Sequence, residues 1–113
     1  MILSWTQSVD TPLRIDTVER SGSLVLVVEG ELEITTSPLL DKALVRARGT
    51  DATRIVVDLD AVSFIDSTGL HVLIRHTDSD DSRPRIHLTK GSPQVQRLFE
   101  LSGAADFLPF VSE

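Results

Sequence analysis

Arg54-Ile55-Val56-Val57-Asp58-Leu59-Asp60-Ala61-Val62-Ser63-Phe64-Ile65-Asp66-Ser67-Thr68-Gly69-Leu70 is the stretch on which the fold turns. Its first part, Arg54 to Leu59, is too densely apolar for an exposed position and reads as a central strand. The apolar run Ala61 to Ile65 then leads to the polar step Asp66-Ser67-Thr68-Gly69. Beyond it, Leu70, Leu73 and Ile74 share a helical stripe, with Val72 toward the same side. Strand, polar step and helix in succession place Ser67 at a helix N-terminus. There the first N–H groups lack intrahelical partners and the helix dipole adds positive charge, which favours a capping oxygen or a phosphate. Ser67 is therefore a cap, with Asp66 as the other capping candidate, or it is a switch.

Upstream, Leu13, Ile15, Thr17 and Glu19 alternate with Arg14, Asp16, Val18 and Arg20, the period of an edge strand. The turn Ser21-Gly22-Ser23 and the aliphatic run Leu24 to Val28 complete a hairpin, and Gly30 is expected to break the second strand. In Thr35-Thr36-Ser37-Pro38, Ser37 is the expected N-cap and Pro38 the first helical residue, where a missing N–H costs nothing. Leu40, Ala43, Leu44 and Ala47 form the apolar stripe of that helix, which Gly49 ends.

Downstream, the acidic loop Asp78 to Pro84 precedes a fourth strand, Arg85 to Leu88. Ser92-Pro93 repeats the cap-and-proline signal ahead of Val95, Leu98, Phe99 and Ser102, and Gly103 closes that helix. Phe107 to Val111 is expected to close the sheet edge or to cover the core. Alternating strands and helices in so short a chain predict an α/β domain. Its mixed sheet should have four to five strands, with helices packed mainly on one face.

A chain of 113 residues fits one domain with one core, and 41% hydrophobic residues is ordinary for a folded protein. No apolar run approaches the roughly 20 residues that span a bilayer. The net charge of -6 argues against nucleic acid and anionic membranes as partners. Absence of cysteine excludes disulfides, thiolate catalysis and cysteine-ligated metals, and fits a cytoplasmic setting. Residues 1–11, with an isolated Trp5 and no secretory pattern, read as a loose extension to a domain over residues 12–113.

Catalytic and metal-binding constellations fail on their residues. A nucleophile elbow needs small flanks, and Ile65 stands where its first glycine should be. Gly69 is followed by leucine, so there is no phosphate-binding Gly-Lys-Ser/Thr loop. His71, His76 and His87 lack zinc spacing and read as surface or half-buried residues. Asp58, Asp60 and Asp66 fall around a strand end and loop, where solvated acids are common. No catalytic residue, metal or cofactor is expected.

Three segments in order carry a resemblance: Gly30-Glu31-Leu32-Glu33-Ile34-Thr35-Thr36, the run Val56 to Leu59 leading to Phe64-Ile65-Asp66-Ser67-Thr68-Gly69-Leu70, and Ser92 to Gly103. Together they resemble the STAS domain of bacterial anti-sigma factor antagonists over about Leu13 to Phe110. The resemblance implies a domain that works by partner exchange. Unmodified, it would bind an anti-sigma factor that is also a serine kinase, freeing a sigma factor. Phosphorylation of the serine after the aspartate, here Ser67, would end binding, and a serine phosphatase would reset it. Thr68 is the alternative acceptor. Gly30, Glu31, Glu33, Thr36, Asp66, Ser67, Thr68 and Gly69 would line the partner-binding face. The chain departs from the family in carrying Glu33 where aspartate is usual, and Ser82-Arg83-Pro84-Arg85 where the loop usually carries glycines.

Two functions follow. The first is a phosphorylatable antagonist, expected to act as a cytoplasmic monomer in transcription and stress regulation. The second is a STAS-like accessory subunit or ligand-binding module of a transport or signalling complex, never phosphorylated. The helix start at Ser67 is expected to accommodate a phosphate without unravelling the fold.

Overall fold

The computed structural model describes residues 13–78 and 85–111. The expected extension 1–11 and most of the acidic loop lie outside them. Strand β1 (Leu13–Arg20) and strand β2 (Ser23–Leu32) form an antiparallel hairpin with Leu13 opposite Gly30. At its tip Ser21 and Gly22 both take positive φ, at 53° and 84°. Helix α1 (Ser37–Arg48) crosses to strand β3 (Ile55–Ile65), which lies parallel to β2. Helix α2 (Ser67–Thr77), strand β4 (Ile86–Leu88), helix α3 (Pro93–Ser102) and a 3₁₀ turn (Ala104–Asp106) follow. The sheet order is β1-β2-β3-β4, mixed as expected. A fifth strand is reduced to one parallel bridge between Leu88 and Phe110. Leu108 meanwhile is buried and the Phe110 ring packs tilted against Phe99, with centroids 5.7 Å apart, so this segment serves both the edge and the core.

Pairing register shows which side chains share a face. The rows Leu24–Ile55–Ile86 and Leu26–Val57–Leu88 run across three strands. They join Leu40, Leu44, Leu73, Val95 and Phe99 from all three helices in one hydrophobic core, so the described helices pack on one face. Successive strand residues point to opposite faces, which puts the intervening row Val25–Val56–His87 on the other side. Neither valine belongs to the main core cluster.

Several local expectations are corrected. Gly30 does not break β2: at φ 118° it absorbs a register shift while pairing continues to Leu32. β3 does not end at Leu59 but runs on through the Ala61–Ile65 segment, because Glu29, Gly30, Glu31 and Leu32 supply partners for it. Ser37 is not the N-cap of α1. That place falls to Thr36, without a side-chain capping bond, and Pro38 moves one residue further in. His76 is buried at 8% exposure, held between Asp41 Oδ1 at 2.7 Å and Arg48 at 3.3 Å. Around α3 the expectations hold: Ser92 Oγ accepts from Val95 N–H at 3.2 Å, and Gly103 closes the helix at φ 84°.

Arg85 stands just before β4. Its Nε and both terminal nitrogens donate to the carbonyls of Ala52, Arg48 and Thr50 at 2.7 to 2.9 Å. One guanidinium thereby joins the end of α1 to the start of the parallel strands.

Candidate functional site

The C-terminal ends of β2 and β3 lie side by side, with Glu31 opposite Phe64 and Leu32 opposite Ile65. Each strand runs into a helix, so the β2–α1 and β3–α2 connections meet at one end of the sheet, where open α/β sheets hold their functional loops. Asp66 N–H donates to Leu32 O at 3.0 Å, stitching one connection to the other. Gly69, buried in the first turn of α2, lets that helix approach the strands: a Cβ there would stand 3.0 Å from both Leu32 Cβ and Ile65 Cγ1. The predicted residues Gly30, Glu31, Glu33, Thr36, Asp66, Ser67, Thr68 and Gly69 all sit in these two connections, the strand ends feeding them or the first turn of α2.

Asp66 is the cap of α2. Its Oδ1 accepts the Thr68 N–H at 2.9 Å, the Gly69 N–H at 3.4 Å and the Thr68 hydroxyl at 2.5 Å. Burial works to raise its carboxyl, but hydrogen bonds from the Thr68 hydroxyl and the helix N–H groups outweigh that and hold it below the usual carboxylate range. Asp66 thereby takes two N–H groups that the helix start was expected to offer a phosphate. A phosphate on Ser67 would compete with that carboxylate for them, beside its charge.

The adjoining hydroxyls have opposite environments. Ser67 is exposed, and its hydroxyl has no hydrogen-bond partner among the described residues. Thr68 is half-buried, its Oγ1 bonded to Asp66 and 3.1 Å from Ser37 Oγ.

Glu33 folds back on its own turn. Its carboxylate accepts from the Thr35 backbone N–H and, at 2.6 Å, from the Thr35 hydroxyl. The side-chain bond from Thr35 is the main cause of its lowered pKa, while the Asp66 charge pushes the other way. The extra methylene relative to aspartate thus serves a local cap. Thr36, buried, donates to Glu31 O at 2.7 Å and accepts from Glu33 N–H at 2.9 Å. It braces the turn from within rather than facing outward.

Sequence reading missed the apolar part of this end. Ile34 is 70% exposed, Phe64 49% and Leu39 44%. An apolar side chain carries no local signal of exposure, and it is the folded β2–α1 turn, the outer side of α1 and the strand end at Phe64 that leave these three facing outward.

A family model for the STAS domain matches residues 14–113. The chain belongs to the STAS domain family. An anti-sigma-B factor antagonist of Staphylococcus aureus is 30% identical to this STAS domain over 97 residues, 85% of this chain and 90% of the relative. Among solved structures, an anti-sigma factor antagonist from Mycobacterium paratuberculosis matches with a TM-score of 0.78 at 24% identity, covering 89% of this chain and 86% of its own. The antagonist SpoIIAA in its unphosphorylated form matches at 0.64 and 23% identity, covering 89% of each chain. SpoIIAA of Bacillus in the phosphorylated form matches at 0.58 and 23%, covering 89% of this chain and 92% of its own. The structural likenesses establish the fold. The relatives are regulatory proteins rather than enzymes.

Proposed function

We propose that this STAS domain is an anti-sigma factor antagonist switched at Ser67. Unmodified, it binds an anti-sigma factor serine kinase and so releases a sigma factor; phosphorylated, it lets go, and a serine phosphatase restores it. The observation that carries this reading is the contrast between the neighbouring hydroxyls: Ser67 is exposed, whereas Thr68 is half-buried and already bonded. Kinship with an antagonist at 30% identity supplies the partner class.

Binding rests on the exposed Ile34, Leu39 and Phe64 around an acidic centre made by Glu31, Glu33 and Asp66. A phosphate adds about −1.5 to −2 charge and three acceptor oxygens. Placed on Ser67, it crowds a surface that already carries the ionised Asp66, so a partner that fits the neutral serine meets bulk and repulsion. The change needs no refolding of the sheet, since the phosphate is written on an exposed side chain. The reading also takes residues 12–113 as one domain acting as a monomer in the cytoplasm, with residues 1–11 as an extension. No helix among the described residues is long and apolar enough to cross a membrane.

The test is incubation of the chain with ATP and the anti-sigma serine kinase it binds, followed by peptide mass spectrometry. One phosphate on Ser67, and none in Ser67→Ala, is expected. A domain that binds a transport subunit and takes no phosphate would establish the accessory function instead.

A further inference from the structure

Ser37 carries no cap, yet it is almost wholly buried at 3% exposure. Its Oγ lies 3.1 Å from Thr68 Oγ1, across 31 residues of sequence. A hydroxyl has one proton to give and two lone pairs to receive with. Thr68 gives its proton to Asp66 Oδ1. The proton between Ser37 and Thr68 is therefore Ser37's. The three side chains form a directed relay from the Ser37 hydroxyl to the Thr68 hydroxyl to the Asp66 carboxylate, and the charge at its end strengthens each donor in turn.

The relay bears on which hydroxyl a kinase can use. Phosphoryl transfer from ATP requires that the acceptor oxygen direct a lone pair at the γ-phosphorus, that its proton pass to a base on the kinase, and that ADP depart. Thr68 donates its proton in a hydrogen bond to Asp66 and accepts the Ser37 proton with one lone pair, and it is half-buried. We propose that Ser37 is a positioning residue of the switch: through the relay it withholds Thr68 and keeps Asp66 on the helix start, leaving Ser67 as the single acceptor. The inference rests on the antagonist reading for its kinase, though the relay itself does not depend on a partner.

Ser37→Ala removes the first donor, and Ser37→Thr keeps it. Each variant is incubated with ATP and the serine kinase that binds the wild-type domain, and the phosphate is located by mass spectrometry. Wild type and Ser37→Thr should carry phosphate on Ser67 with only a trace on Thr68, while in Ser37→Ala the fraction on Thr68 should rise about tenfold, as befits loss of one hydrogen bond to a charge-terminated chain. In the same variants without kinase, carbon-13 NMR should show the Asp66 carboxyl titrating at higher pH in Ser37→Ala. Asp41, which lies in α1 with Ser37, should be unmoved; a general loosening would shift both. Unchanged Thr68 phosphate together with an unchanged Asp66 titration in a folded Ser37→Ala protein would overturn the proposal. Wild-type protein that takes no phosphate on Ser67 would overturn the antagonist reading and the withholding role with it, while the Asp66 titration would still decide the relay.

Discussion

Gly69→Ala sets two effects of known sign against each other. In a helix, alanine is favoured over glycine by about 1 kcal/mol. Here the added methyl would stand 3.0 Å from Leu32 Cβ and 3.0 Å from Ile65 Cγ1. The Ile65 contact can ease by rotation, but Leu32 Cβ is fixed to the backbone of β2 and its side chain is fully buried. α2 must move away from the strands. That movement strains the 3.0 Å bond from Asp66 N–H to Leu32 O that joins the two connections. Overpacking of this kind costs about 1–3 kcal/mol, and strain in the Asp66 bond adds to it, so the net is a destabilisation of about 1–2 kcal/mol. Urea unfolding should show a lower midpoint with an unchanged slope, and thermal unfolding a Tm lower by roughly 4–16 °C. Binding to the anti-sigma kinase should weaken as well, because the displaced turn carries Ser67. A Gly69→Ala protein more stable than wild type by the helix-propensity increment would refute the close approach of α2 to β2.

Other consequences are independent of that contact. Arg85→Ala leaves the carbonyls of Ala52, Arg48 and Thr50 without their donor, and should cost about 2 kcal/mol in urea unfolding, with Arg85→Lys recovering only part. Phe64→Ala should leave stability nearly unchanged, since the side chain is half exposed, but should weaken kinase binding by about 1–2 kcal/mol in calorimetry. Against its burial, hydrogen bonds from the Thr68 hydroxyl and the helix N–H groups hold the Asp66 carboxyl below the usual carboxylate range, and the bond from His76 does the same for Asp41. A carboxylate with a depressed folded pKa contributes stability in full above its unfolded pKa and loses it as pH falls through the folded value. Unfolding free energy should therefore drop below about pH 4, with a shallower drop in Asp66→Asn, which keeps a capping oxygen without the charge.

Signals contained within a few residues were readable from the chain. Ser92-Pro93 before an apolar stripe, and Gly103 after it, specify α3 through its own backbone groups, so no distant partner could alter them. The Asp66 to Leu70 step was readable for the same reason, because its cap bonds span two and three residues. What could not be read depends on residues far apart in sequence. Gly30 is a strand breaker by propensity, but β3 pairs with β2 on both sides of it, and a positive φ turns the break into a register shift. Ser37 before Pro38 matched a cap, while its actual partner is Thr68. Ile34 and Phe64 are apolar residues whose outward placement depends on the turn after β2 and on the pairing of Phe64 with Glu31. Family resemblance pointed to the candidate residues, whereas the geometry shows Ser67 exposed beside a bonded Thr68 and places the Glu33 and Thr36 hydrogen bonds within the β2–α1 turn.

The most direct test of the switch is the affinity of the anti-sigma kinase for this domain with and without a phosphate on Ser67, measured by titration calorimetry on the homogeneous forms. Repulsion and bulk worth ~3 kcal/mol correspond to a loss of more than a hundredfold. The account predicts a loss of that size on phosphorylation, reproduced in part by Ser67→Asp. Equal affinity of the two forms would contradict it.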